Sequence, residues 1–431
     1  MTEDFLHFIW RFGLFDRSGM QTDTHEKVEV FALGEYNTNA GPDFLNARIK
    51  IGDTVWAGNV EIHLRSADWL NHKHQHDKAY DNVILHIVHK YDHPVSRSNG
   101  GTVPTVVLKF GDQLYENYCT LLSRRNGLPC KDKLKHVDPL IIDVWLNSLV
   151  IERLQQKTQY ISDLLKQYKN NWEEVFYINL ARTFGFGLNT LPFELMAKGL
   201  PLSILTRHRD NPLQAEALVM GQAGFLNDAR LFDSYYISLR NEYLHLKNKY
   251  KLKPVENHLW KFLRLRPVNF PTIRLAQFAA LFQKAEGLFS KIIVCKTTSE
   301  LVELFRTEAS EFWNTHYTFE TTSPCKVKRL GNEAVNILII NAIAPFLFKY
   351  GELTTNDILK DRAIDFLNQI PAEKNSIVKR WEQYGIKPDS AFFSQGIIQL
   401  ANFYCNPKRC LCCSIGTRII TSSSSWPAQA F

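Results

Sequence analysis

The chain has 431 residues, 45% hydrophobic, 22% charged and 12% aromatic, which is globular composition with apolar material for more than one core. Its 51 basic and 44 acidic side chains leave a formal charge of +7, a mild excess that agrees with a polyanionic partner without arguing for one. No run reaches the roughly 18 uninterrupted apolar residues of a spanning helix, so no membrane association is expected.

The N-terminus, "MTEDFLHFIWRFGLF", carries acids where a secretory signal carries positive charge, and a cytoplasmic protein is expected. Residues 1–130 read as an α/β domain. "DFLNARIKI" (43–51) and "TVWAGNVEIHL" (54–64) alternate with period two around Gly52-Asp53, which predicts a β-hairpin. "SADWLNHKHQHDKAY" (66–80) lacks that alternation and predicts a short helix or ordered loop with Ser66 as N-cap. "NVILHIVHKY" (82–91) and "TVPTVVLKF" (102–110) follow as further strands.

From about residue 138 the period changes to 3.6, with apolar residues at 141, 142, 145, 149, 150 and 154 of "PLIIDVWLNSLVIERLQQKTQYISDLLKQY". Helical patterning continues through "WEEVFYINLARTFGF", "PLQAEALVMGQAGFL", "LWKFLRL" and "TIRLAQFAALFQKAEGLF". "AVNILIINAIAPFLF" (334–348), interrupted by Asn336, Asn341 and Pro345, reads as a buried helix. The expected organisation is an α/β domain over 1–130, a larger mainly α-helical domain over 131–415 that includes a terminal cysteine cluster, and a disordered tail over 416–431.

The chemistry-bearing stretch is "GPDF…NVEIH", with Asp43 after Pro42 and Glu61-Ile62-His63 eighteen residues further on. Residues at i and i+2 of a strand share a face, so Glu61 and His63 point the same way, and the hairpin can bring Asp43 beside them. Hard carboxylate oxygens in that arrangement suit a divalent cation that activates water at a phosphodiester.

The stretch resembles the PD-(D/E)xK nuclease superfamily, whose core is a helix, a three-strand meander, a helix and a further strand. In that pattern an Asp follows a Pro near the start of the second strand and Glu-x-Lys lies on the third. The resemblance implies a restriction-endonuclease-like mixed sheet, Mg²⁺ or Mn²⁺ at Asp43 and Glu61, an upstream acid at Glu35 or Glu29 with Glu35 nearer, and hydrolysis of DNA. His63 stands where the superfamily has Lys, and an imidazole cannot mimic a permanently charged ammonium. Either the site works with a substituted residue, or the fold is a degenerate nuclease core that binds nucleic acid or protein without cutting. A metal-dependent hydrolase of a small substrate, using the histidine-rich segment, is the further alternative. The whole chain is also similar to a bacterial family of like length defined only as a domain of unknown function, through "GEYNTNAGPDFLNA", "FGFGLN" and "CNPKRCLCC".

His72, His74 and His76 alternate, which on an extended segment could hold Zn²⁺. The favoured reading places His72 and His74 with Arg65 along a phosphate-facing groove, and keeps His86 as a core histidine. In "LWKFLRLRPVNFPTIRLAQF" (259–278) the aromatics read as core, with Arg264 and Arg266 as phosphate contacts. Four of the eight cysteines crowd into "CNPKRCLCC", where Cys405, Cys410 and Cys413 have workable spacing for zinc. A fourth ligand would be Cys412 or the remote Cys130. Some nucleases of the superfamily hold an iron–sulfur cluster with one cysteine before the core and three after it, whereas Cys130 follows the core, so zinc is favoured.

Overall fold

The hairpin organises the first part of the computed structural model, which describes residues 1–123, 127–228 and 230–422. Strand β3 (Phe44–Ile51) turns at Gly52-Asp53 into β4 (Thr54–Arg65), and Gly52 has a φ of +58°, the left-handed conformation that a tight turn asks of glycine. Ahead of them lie three elements that alternation does not reveal: helix α1 (Glu3–Arg11) and strands β1 (Val28–Ala32) and β2 (Glu35–Tyr36). After the hairpin come the short helix α2 (Asp68–Asn71), two 3₁₀ turns (His74–His76 and Lys78–Tyr80), β5 (Val83–Lys90), β6 (Thr105–Val107) and helix α3 (Asp112–Ser123).

The sheet order is β1-β3-β4-β5-β6, with β2 paired to β3. The β1–β3 and β3–β4 pairs are antiparallel, whereas β4–β5 and β5–β6 are parallel. Parallel neighbours need a crossover, and residues 66–82 supply the one between β4 and β5. β5 is buried at six successive positions from Val83 to Val88, as a strand covered on both faces should be. Gly58 permits the close β4–β5 approach: a Cβ there would meet Ile84 Cγ2 at 2.4 Å and the Asn82 carbonyl oxygen at 2.6 Å. From α1, Phe5, Leu6, Phe8, Ile9 and Trp10 are buried, each contributing about 1.5–3 kcal/mol.

Two compact units divide the chain, one of residues 1–145 together with 400–431, the other of residues 146–399. The terminal cysteine segment therefore groups with the sheet and not with the helices, although it follows them in sequence. A last helix (Ser414–Thr421) takes in residues 416–421 of the segment expected as tail, and Asn117 Nδ2 of α3 donates to its Ile420 carbonyl at 3.0 Å. The serine-rich end, 423–431, lies outside the described residues.

The second unit is helical. The long helix Pro139–Gln167 follows the 3.6 period and runs into it, and Trp172–Phe184, Pro212–Gln222 and Pro271–Lys284 form where expected. "LWKFLRL" does not: only Asn257–Leu259 turns, as 3₁₀. Trp260 Nε1 donates to the Ala223 carbonyl at 2.7 Å, and Asn189 bonds both the N–H and the carbonyl of Lys261, so tertiary hydrogen bonds hold this stretch. Among the described residues one helix, Asn332–Leu353, is long and apolar enough to cross a membrane, and 72% of its apolar window is buried within the protein.

Candidate functional site

The position of Asp43 depends on a bulge. Ala47 pairs with Gly58 but Phe44 pairs with Val60, so β3 carries one extra residue in between, where Asn46 adopts a φ of +59°. A one-residue slip moves side chains to the other face, so continuing the shifted register sets Asp43 opposite Glu61 instead of Ile62. The Asp43 backbone N–H donates to Glu61 Oε2 at 3.1 Å, and the Ile62 N–H donates to Asp43 Oδ2 at 2.9 Å.

Histidines converge on this pair from three elements. His7 of α1 places Nε2 3.2 Å from Asp43 Oδ2. His63 Nε2 and His74 Nε2 lie 3.5 and 3.4 Å from Glu61 Oε1. His63 Nδ1 is 2.9 Å from His86 Nε2, and its Nε2 is 3.1 Å from His72 Nδ1. The parallel register sets His86 beside Glu61, which puts both on the face that carries His63. Lys73, at a φ of +64°, turns the chain between His72 and His74 so that both reach His63. His74 is held by stacking on Tyr80, with ring centroids 3.7 Å apart, and by the edge of Trp69.

Burial sets the electrostatics. It pushes the Glu61 carboxyl above its ordinary range, assisted by the Asp43 charge and opposed by His74. Burial, with the imidazoles of His86, His74, His72 and His7, lowers His63 to about 2, so it stays neutral and does not supply the charge of a lysine. His86 falls to about 3 through burial and the nearby His74. Burial also draws His7 down, but the hydrogen bond and charge of Asp43, with Asp4 and Glu3, outweigh it and leave His7 raised.

The remaining expected site residues are distributed as follows. Glu35 is exposed on β2, and its neighbour Tyr36 is the residue that packs against His7, so Glu35 falls on the other face. Arg65 is committed to Asp92 through Nε and Nη2, both at 2.6 Å. His72 is exposed and His74 buried, while His76 is exposed and joins neither. Ser66 does not cap α2; its hydroxyl donates to Asp92 Oδ1 and accepts from the N–H groups of Asp92 and His93. Arg264 and Arg266 are exposed in the helical unit, in the non-helical stretch before Pro271. His7 is absent from the sequence expectation. Its signal was a lone histidine among the apolar residues of "DFLHFIW".

In the C-terminal segment the thiol of Cys405 is raised by burial and then by Cys413, Cys130 and Cys410, so Cys130 lies near Cys405 although far from it in sequence. Burial and Cys413 push Cys410 up to about 11, against the pull of Lys408. Cys413 is raised by burial although the N–H groups of Gly416 and Ile415 at the last helix's start lower it. Cys412 is exposed, and none of the eight cysteines is in a disulfide.

A mixed sheet bearing a buried carboxylate and histidine cluster, in a chain that also contains a helical unit, is thus the class of protein that the fold and site define. The chain belongs to the family described as Protein of unknown function (DUF2851), whose model matches residues 3–376. Comparison with curated proteins and with solved structures gave no match.

Proposed function

We propose that this protein is a metal-dependent nuclease that hydrolyses phosphodiester bonds of DNA at the site built on Asp43 and Glu61. The observation that carries the reading is the cross-bonded Asp43–Glu61 pair, two carboxylates held together at one end of a β-hairpin. The order of α1, the antiparallel run β1-β3-β4, α2 and then β5 parallel to β4 supports it, being the order that the resemblance to the PD-(D/E)xK superfamily implies. Asp43 and Glu61 would hold Mg²⁺ or Mn²⁺, which supplies an activated water and charge at the phosphate. His63, lowered to about 2 and so kept neutral, is a weak proton acceptor and would serve as a ligand or hydrogen-bond partner, not to neutralise charge. Glu35, being exposed and away from His7, would have to act through solvent. Arg65 would reach a phosphate only by releasing Asp92. His72 is the exposed histidine of the cluster and the better placed of the two for contact with DNA, and Arg264 and Arg266 remain solvent-facing candidates. Cys405, Cys410 and Cys413, with Cys130 near Cys405, would hold a separate zinc only if their sulfurs draw together, since among the described residues it is His63, His72 and His74 whose ligand atoms lie within 4.8 Å.

Linear, nicked and single-stranded DNA incubated with the protein and Mg²⁺ or Mn²⁺ test the reading. Cleavage abolished by Asp43→Ala and by Glu61→Ala is expected, and cleavage unaffected by both would sink the site.

A second reading, a nucleic-acid-binding scaffold without catalysis, is favoured by one observation: Asp43 and Glu61 already satisfy backbone N–H groups, as structural carboxylates would. It predicts binding that weakens with salt and no cleavage under any of these metals.

A further inference from the structure

We infer that Glu61, His63, His72 and His74 form a binding site for a tetrahedral first-row divalent cation, with zinc the best match to the ligand set. Zinc takes imidazole nitrogen at about 2.0–2.1 Å and carboxylate oxygen at about 2.0–2.2 Å, so a tetrahedral site has ligand atoms roughly 3.3–3.5 Å apart. His63 Nε2 lies 3.1 Å from His72 Nδ1 and 3.5 Å from Glu61 Oε1, and His74 Nε2 lies 3.4 Å from the same oxygen. One nitrogen from each histidine falls within 4.8 Å of the others.

A plain hydrogen-bond network accounts for less of this. His74 Nε2 is buried, its ring is clamped by Tyr80 and Trp69, and it faces Glu61 Oε1 at 3.4 Å, longer than a well-formed hydrogen bond. A rigid, desolvated nitrogen held only by so long a contact is poorly satisfied, and an ion shared with Glu61 and His63 satisfies it better. His63 Nδ1 meets His86 Nε2 at 2.9 Å, which turns the opposite nitrogen toward the cluster, the orientation that an outer partner gives to a metal-bound histidine. His86 is in this sense a positioning residue.

Three imidazoles and one carboxylate select against Mg²⁺, which prefers six oxygens in octahedral geometry, and favour zinc or its neighbours. The exposed ring of His72 gives the ion a route from solvent. The site shares Glu61 with the nuclease reading but does not need DNA chemistry, so it stands or falls separately.

The test uses the full chain, stripped by chelator and titrated with Zn²⁺ and with Co²⁺ as a visible reporter. The cysteines remain intact; thiolate-bound Co²⁺ gives a near-ultraviolet charge-transfer band that the nitrogen and oxygen site lacks. Wild type is expected to bind one equivalent more than His72→Ala/His74→Ala and to show the intense visible bands of tetrahedral Co²⁺. His86→Asn is expected to weaken this equivalent about 10–100-fold. His72→Ala alone, at an exposed position, is expected to weaken it at least about tenfold and keeps the test valid where the double variant fails to fold. Equal stoichiometry and identical visible spectra in wild type and His72→Ala overturn the inference. Absence of DNA cleavage with the cobalt spectrum intact counts against the nuclease reading alone.

Discussion

Asp43 and Glu61 are cross-bonded: the Asp43 backbone N–H donates to Glu61 Oε2 at 3.1 Å, and Asp43 Oδ2 in turn accepts the N–H of Ile62, the residue after Glu61, at 2.9 Å. Each carboxyl therefore holds the strand of the other. Removing one leaves a part-buried N–H without an acceptor, and Asp43→Ala and Glu61→Ala should each cost about 1–3 kcal/mol in denaturant unfolding. Asp43→Asn and Glu61→Gln keep an oxygen acceptor and should lose less than half of that. If the site is catalytic, these two amide variants still lose DNA cleavage by about 10²-fold or more, which separates a structural from a chemical role.

At Gly58 an added methyl has nowhere to go, because its nearest neighbours, at 2.4 and 2.6 Å, include the backbone oxygen of Asn82, just ahead of β5. Gly58→Ala should destabilise by about 1–3 kcal/mol, as overpacking does, visible as a lower urea midpoint with an unchanged slope. A midpoint equal to that of wild type would show that β4 and β5 separate easily.

In the helical unit, Lys157 Nζ sits 2.7 Å from Gln395 Oε1, 3.0 Å from Asn341 Oδ1 and 3.3 Å from the Ile340 carbonyl. Burial and the nearby Arg153 lower it from 10.5 to about 7, against the pull of Glu373. Below about 7 both folded and unfolded chains are protonated here; between about 7 and 10.5 the unfolded chain binds more protons. The contribution of Lys157 to stability should therefore rise with pH across that window, by at most about 1.4 kcal/mol per unit and less because the residue is partly exposed. Unfolding of wild type and Lys157→Met at neutral and mildly alkaline pH checks the sign: the wild type should gain on the variant as pH rises.

For the thiol cluster, Cys130 should behave as Cys405, Cys410 and Cys413 do. Protein purified without chelator is expected to carry a metal that Cys130→Ser releases as readily as Cys410→Ser, measured by elemental analysis. Metal content insensitive to Cys130→Ser would leave that residue as core packing only.

Local chemistry made much of the first unit legible. Period-two alternation around Gly52-Asp53 announced the hairpin, and the loss of alternation after Arg65 announced the short helix and turns that follow it. Strands β1 and β2 offer little pattern because they are short, β2 having only two residues, whereas helix α1 does carry a helical apolar face in Phe5, Leu6, Phe8, Ile9 and Trp10. "LWKFLRL" carried a helical pattern but is held by tertiary hydrogen bonds to Asn189 and Ala223.

By itself the sequence determined that a carboxylate and a histidine two residues apart on β4 share a face, because alternation is a property of the strand and not of its surroundings. Only the tertiary structure decided which residues meet them. A single extra residue in β3 brings Asp43 opposite Glu61, parallel pairing brings His86, and the left-handed turn at Lys73 brings His72 and His74. Cys130 reaches Cys405 by the same kind of long-range closure. Register and crossover are set by packing across the whole sheet, and no spacing along the chain encodes them.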